Sequence, residues 1–460
     1  MKLSSSDFAG KFESMDLDTM RRLAGQLDAS DPLAGFRDQF RLPTGADGAA
    51  QNYFCGMSLG LQPKSTRAAV EADLDAWSKT AVGGHFYGKY PWMPAHEFVR
   101  DGLAEIVGAR PDEVVAMNSL TVNLHLMMVS FFQPKGRRKK ILIERHAFPS
   151  DRYAVVSQLQ CHGLDADADL IELGETDPNT ALDEEYIAEY FDHHGDEIAL
   201  AILPGVQYYT GQAFDIPALA EAARRNRITI GFDLAHAAGN IPLSLHDAGC
   251  DFAVWCSYKY LNSGPGAVAG CFVHQRHAKT PLPRFAGWWG HEPESRFRMG
   301  PNFKPSAGAN GWQLSNPPIL ALTPLRTSLE LFHAAGQGRL RDKSIRLTGL
   351  LEHALQRYLG ALIHIISPRV PARRGCQLSL RFDAALDGKR IYQDLLARGI
   401  IGDWREPDVL RIAPVPLYNR YLDIVDLVDA LIEVTAAEPG GCRATPPGRL
   451  RSEASRRDER

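Results

Sequence analysis

Two kinds of hydrophobic patterning divide the chain. Between residues 95 and 273, short apolar runs alternate with stretches whose apolar residues recur every three or four positions. The runs Glu113 to Met117, Lys140 to Glu144, Ile198 to Leu203, Arg227 to Phe232, Phe252 to Cys256 and Ala267 to Val273 read as buried strands. Segments 95–108, 118–132 and 216–226 between them read as helices. Alternation at this spacing predicts βαβ units and a mostly parallel sheet flanked by helices, an α/β fold. Such sheets bind ligands beyond the carboxyl ends of their strands. Helices are also expected over 15–30 and 66–80, with an irregular stretch over 31–65 between them. From residue 326 the pattern changes: helices over 326–336 and 338–360, short strands over 376–382 and 408–413, and a last helix over 421–436. The division expected is an N-terminal segment with a substrate loop (1–65), a large ligand-binding domain (66–325), a smaller α+β domain (326–437) and a disordered tail (438–460) rich in Gly, Pro, Arg and Ser.

Composition narrows the class. The 460 residues are 45% hydrophobic and 23% charged, ordinary for a globular chain, and a formal charge of -4 gives no reason to expect nucleic acid or a membrane surface as partner. Seven cysteines without a Cys-x-x-Cys pair read as reduced thiols of a cytoplasmic protein. Residues 1–30 lack the apolar run of a signal peptide, and the longest apolar stretch, Leu120 to Phe132, is broken by Asn123 and His125 and is too short for a bilayer.

The candidate chemistry lies at the strand ends. Lys259 stands where the strand Phe252 to Cys256 gives way to a Ser-Gly-Pro-Gly turn at 263–266. A buried lysine is costly unless its amine is neutral, and apolar surroundings make such an amine a Schiff-base nucleophile. Taken alone, a lysine that simply reaches solvent is the commoner case. Asp233 ends another strand and suits a cationic ring nitrogen, or caps the next turn. Thr121 opens a helix whose free N–H groups suit an anion, or merely caps it. Phe148 is either a ring for stacking on a flat ligand or ordinary core. Together, a Schiff-base lysine, an acid for a pyridine nitrogen and a phosphate site are what pyridoxal 5'-phosphate (PLP) requires. There is no strand–GxGxxG–helix element and no GxxxxGK[ST] loop. His193 and His194 have no partner at ligand spacing, so no metal site is expected. His85, in the Gly-rich aromatic loop 83–92, is a candidate ligand contact.

Six segments together resemble kynureninase: Ser257-Tyr258-Lys259-Tyr260-Leu261-Asn262, Asp233-Leu234-Ala235-His236, Phe148-Pro149-Ser150-Asp151, Leu120 to His125, Gly287-Trp288-Trp289-Gly290-His291 and Ser315-Asn316-Pro317-Pro318. The likeness runs from about residue 50 to 436. It implies a fold-type-I PLP enzyme, a homodimer with shared active sites, and hydrolytic Cβ–Cγ cleavage of kynurenine or 3-hydroxykynurenine to the anthranilate and alanine. By that resemblance Lys259 carries the cofactor, Asp233 pairs with its ring nitrogen and Phe148 stacks on the ring. Leu120, Thr121 and Tyr258 hold the phosphate, while Pro149, Ser150, Asp151 and His236 complete the shell. Trp288 and Asn316 come from the neighbouring subunit. Arg411 clamps the substrate α-carboxylate, Ser58 and His85 touch the substrate, as does Asn316, and Tyr258 relays a proton. The family usually has asparagine at Met57 and arginine at Tyr90, and some members have serine or threonine at Pro204. The first two replacements raise an alternative substrate, a ring-modified (for example methylated) 3-hydroxykynurenine.

Overall fold

The computed structural model describes residues 16–437; the expected tail, 438–460, lies outside them. Seven strands build the central sheet: β1 Val114–Ala116, β2 Lys140–Glu144, β3 Leu170–Leu173, β4 Ile198–Pro204, β5 Thr229–Asp233, β6 Phe252–Trp255 and β7 Gly270–Val273. Their spatial order is β3-β2-β4-β5-β6-β7-β1. All neighbours are parallel except β7, which runs antiparallel to both β6 and β1. β2, β4, β5 and β6 are buried along nearly their whole length, which is why they read as continuous apolar runs. β3 was not expected from the sequence. It is an edge strand with three of its four residues half-buried, so it carries no such run. The helix expected over 95–108 begins as a 3-10 turn, Ala95–Val99, before Arg100–Val107 becomes α-helical.

The second unit holds a four-stranded antiparallel sheet: β8 Ile363–Ile365, β9 Leu378–Phe382, β10 Asp403–Arg405 and β11 Val409–Ile412, in the order β8-β9-β11-β10. Its core is drawn from both ends of the chain. Met20 and Ala24, on the helix Leu17–Ala29, and Phe54 are buried among Leu351, Ile391, Val425 and Leu431. The Asp28 carboxylate accepts from the N–H groups of Tyr421 and Leu422 at 2.7 and 3.0 Å and so caps the last helix, Tyr421–Ala436. Lys343 pairs with Asp31 at 2.7 Å and Arg37 with Asp423 at 2.8 Å, both across the same junction. Asn52–Tyr53 adds a two-residue parallel strand to Ile400–Ile401.

Away from the strand ends, Glu113, His246 and His274 come within ligand distance of one another, a grouping the sequence did not signal. Most of its ligand atoms are already hydrogen-bonded. The Glu113 oxygens take the N–H groups of Arg110 and Gln275 and the ring of His246, while His274 Nδ1 takes the N–H of Arg276. It is a hydrogen-bonded staple between a loop, a helical turn and the end of β7. Among the described residues no helix is long and apolar enough to cross a membrane.

Candidate active site

A cavity opens at the carboxyl ends of β2, β4, β5 and β6. Lys259 reaches it from the turn after β6. That turn is held by Ser263 N–H to the Ser257 carbonyl at 3.1 Å and by the Ser257 hydroxyl on the Val268 carbonyl. Asn262 adopts a left-handed φ of 53°, stabilised by its own amide on the Tyr260 carbonyl. Gly60 donates its N–H to the Tyr258 carbonyl, and a Cβ there would lie 2.3 Å from the Lys259 carbonyl, so only glycine lets the 55–60 loop pack against the lysine turn. Lys259 Nζ stands 5.8 Å from the Phe148 ring centroid and 5.9 Å from that of Tyr258. Phe148 is 40% exposed, its edge set against Tyr208 at 5.3 Å between centroids.

Three carboxyl groups line one side. Asp233 ends β5, is nearly buried and accepts the Ala235 N–H at 2.7 Å. Asp151 hydrogen-bonds to it; burial, then the charge of Asp233, pushes the Asp151 carboxyl well above its ordinary range. The raised Asp151 carboxyl favours a proton held between the two acids. Glu144, at the end of β2, is pushed up to about 8, chiefly by burial, with the Asp233 charge adding to the effect against a hydrogen bond from Gln207. His236 is buried and held neutral, first by desolvation and then by the charge of Lys259, and its Nδ1 has no partner among the described residues. Burial also raises the Tyr258 phenol.

The opposite end suits an anion. The helix Leu120–Phe131 starts without a side-chain cap, which leaves its first N–H groups open beside Leu120 and Thr121. The hydroxyls of Thr121 and Ser150 meet at 2.9 Å. Pro149 is the first residue of the next helix, Pro149–Cys161, and does not itself line the cavity. Pro204 does, at the end of β4.

Arg411 lies on β11 with 0% exposure. Its Nη1 donates to the Tyr208 carbonyl at 2.7 Å, and Nη2 contacts Ser58 Oγ at 3.2 Å and Asp403 Oδ2 at 2.8 Å. The structure thus gathers Lys259, Asp233, Asp151, Ser150, Phe148, Thr121, Leu120, His236 and Tyr258 at one cavity, with Ser58 and Arg411 joined to its wall through Tyr208.

Besides Pro149, three expected residues are not brought to this cavity within the chain. His85 packs edge-on against Trp92 at 5.4 Å. Trp288 is 40% exposed and donates its Nε1–H to the Arg296 carbonyl at 3.1 Å. Asn316 is exposed. Nor do the two replacements behind the alternative substrate face it. Met57 is fully buried in the main core, and Tyr90 lies under the Arg326 guanidinium, 3.6 Å from it, with Phe98 at its edge. Glu144, Gln207, Tyr208, Asp403 and Arg405 were not anticipated. Glu144 carried a usable signal, since it ends a buried strand as Asp233 does.

A kynureninase of Xanthomonas euvesicatoria pv. vesicatoria (strain 85-10) is 57% identical over 418 residues, 91% of this chain and 98% of its own length. The chain belongs to the kynureninase family. A kynureninase of Xanthomonas campestris pv. campestris (strain B100) is 58% identical over 410 residues, covering 89% of this chain and 96% of its own. The family description "Kynureninase C-terminal domain" matches residues 340–431, which takes in Arg411. Among solved structures, C-DES with glycine covalently linked to its PLP cofactor superposes with a TM-score of 0.71 at 18% identity, over 86% of this chain and 99% of that one. A cysteine desulfurase from Thermococcus onnurineus NA1 gives 0.68 at 16% identity, over 83% and 94%. At such identities the likeness is one of fold, that of fold-type-I PLP enzymes.

Proposed function

We propose that the chain is a PLP-dependent hydrolase that cleaves the Cβ–Cγ bond of kynurenine or 3-hydroxykynurenine to the corresponding anthranilate and alanine. The observation that carries the reading is the convergence, in a chain 57% identical to a kynureninase, of Lys259, Asp233, Phe148 and an uncapped helix start on one cavity. The residues present fit the cofactor. Lys259 faces the Phe148 ring, Asp233 supplies a carboxylate for a pyridine nitrogen, and His236 offers a buried ring nitrogen without a partner. When bound, PLP supplies the electron sink for carbon–carbon cleavage. The chain does the rest. Lys259 holds the cofactor through Nζ and then moves the substrate Cα proton. Phe148 fixes the ring plane. Leu120, Thr121 and Ser150 hold the phosphate. Arg411 and Ser58 orient the α-carboxylate. Tyr258, whose raised phenol keeps its proton at neutral pH, delivers a proton to the β-carbon.

Trp288 and Asn316 belong, in this reading, to the site of a second copy in a homodimer. Support comes from large exposed apolar side chains: Phe285, Phe297 and Met299 flank Trp288, and Trp77, Val82 and Tyr87 lie around His85. The division into a large domain, 66–325, and a small one, 326–437, is part of the same proposal, with the first helix assigned to the small unit's core. The six described cysteines are free, which supports a reducing compartment. By the resemblance, His85 and Asn316, both reaching the site of the second copy, would face the ring hydroxyl, and 3-hydroxykynurenine is then the preferred substrate, since a site built to bind a hydroxyl rejects the analogue lacking it. The test is alanine release from both substrates by the purified holoenzyme and its Lys259→Ala variant. Turnover by the variant, or no alanine from either substrate with the wild type, overturns the reading. A clearly higher kcat/KM for kynurenine overturns the preference.

A further inference from the structure

Strand β10 runs beside β11 in a register that sets Asp403 directly across from Arg411. Alternation along β10 sends Asp403 and Arg405 to the face shared with Arg411, while Trp404 turns away to stack on Tyr392. The Asp403 carboxylate meets Arg411 Nη2 at 2.8 Å and Arg405 Nε at 3.0 Å, and it also accepts from the Ser58 hydroxyl. Burial works to raise the Asp403 carboxyl, but Arg411, Ser58 and Arg405 outweigh it and hold the group below its ordinary value, so it stays ionised. Two guanidinium groups then face one carboxylate, and a single positive charge is left over. That charge is felt in the cavity, because Arg411 and Arg405 both act on His236 and Tyr208, which line it. The neighbouring acid, Glu406, is taken by Lys389 at 2.6 Å and does not cancel it. Arg411 is completely buried and its Nε has no acceptor among the described residues, so one donor of the fork stays unpaired.

We propose that Asp403 and Arg405 set the charge of the α-carboxylate subsite. Asp403 is a positioning residue that fixes the Arg411 guanidinium, and Arg405 supplies the excess positive charge that selects a head group with one negative charge. A buried guanidinium without a counter-charge would be costly, and Asp403 offsets that cost in the free enzyme. A second counter-charge is left for the substrate to bring. A neutral amide or a decarboxylated amine brings none, and is rejected.

The inference rests on Arg411 being the carboxylate clamp, and the test separates the two. The probes are 3-benzoylpropanoate, a keto acid without the reacting amine, and its carboxamide. Binding of each to the holoenzyme is measured by calorimetry for the wild type, Asp403→Asn, Arg405→Gln and the double variant. In the wild type the carboxylate binds at least about tenfold tighter than the carboxamide; equal affinities overturn the role of Arg411 itself. One unit of charge in a half-buried site shifts an anion's affinity by about tenfold. Asp403→Asn is expected to tighten the carboxylate by that factor, Arg405→Gln to weaken it by the same factor, and the double variant to return near the wild type. Carboxamide binding stays constant throughout. For kynurenine itself, Asp403→Asn lowers kcat without raising KM, because the clamp binds but is no longer held. If both single variants weaken the carboxylate, or if the carboxamide changes with it, the two residues are merely structural and the inference fails. Should Asp403→Asn not fold, an unchanged carboxylate affinity in Arg405→Gln is enough to overturn it.

Discussion

Arg411 Nη1 donates to the backbone carbonyl of Tyr208 at 2.7 Å, across 203 positions of sequence. The Tyr208 ring in turn stands edge-on against Phe148. One residue thus couples the arginine proposed for the substrate to the ring proposed for the cofactor. A lysine at 411 would bring a point charge and no fork, so it could not hold Tyr208, Ser58 and Asp403 together. Arg411→Lys is expected to lower kcat/KM for kynurenine by about a hundredfold, or about 2.7 kcal/mol. Steady-state kinetics check this, and a loss under about fivefold would mean that the guanidinium does not touch substrate.

Asp233→Asn should keep part of the cofactor and lose about 99% of the activity. An ion pair of this kind holds a ring nitrogen protonated by about 1–3 pKa units, and an amide does not. The amide oxygen can still accept the Ala235 N–H, so the thermal midpoint should fall by only a few degrees. A visible spectrum, an activity assay and a melting curve together distinguish this from a collapsed site.

Glu144 gives stability a dependence on pH. Its folded-state pKa, about 8, lies above the unfolded value, so between the two the folded chain holds a proton that the unfolded chain has released. Its contribution is complete below about pH 4.5 and is lost as pH rises through 8. The expected slope is up to about 1.4 kcal/mol per pH unit. Glu144→Gln keeps the hydrogen-bonding shape but has no proton to lose. Melting curves at several pH values between 5 and 8 should be flatter for the variant than for the wild type. Parallel curves would place the charge elsewhere.

Tyr90→Arg tests whether that position reads the substrate. The variant would set a second guanidinium against Arg326, where the tyrosine ring now gives a cation–π contact at 3.6 Å. Such a contact is worth about 0.5–2 kcal/mol. The expected result is a melting point lower by a few degrees and an unchanged ratio of kcat/KM between kynurenine and 3-hydroxykynurenine. A reversed ratio would return Tyr90 to the substrate pocket.

Much of the sheet could be read because its strands are buried on both faces. Lys140–Glu144 stands as expected, and the strand ends at Asp233 and Lys259 do face one cavity. What could not be read depended on register or on edges. β3 is half-buried and leaves no apolar run. Asp403 and Arg405 carry no local sign of their place, since nothing in the sequence says that β10 lies opposite Arg411. Glu144 could have been found as a carboxylate ending a buried strand. Gln207 could not, because its work is done across the fold, where its amide spans Glu144, the His146 carbonyl and the N–H groups of Tyr209 and Thr210. For Met57 and Tyr90, a change of residue type shows neither which way a side chain turns nor what packs on it.

The helix Leu17–Ala29 has a consequence for how the protein is made. Asp28 meets Tyr421 across 393 positions of sequence. At roughly 5–20 residues per second, the ribosome leaves the first helix without its partner for about 20–80 s. Met20 and Ala24 must wait through that interval while the whole central sheet emerges and can close. The small unit is therefore the last part of the chain to become native, and its first helix is an early-made piece held in reserve for the final one.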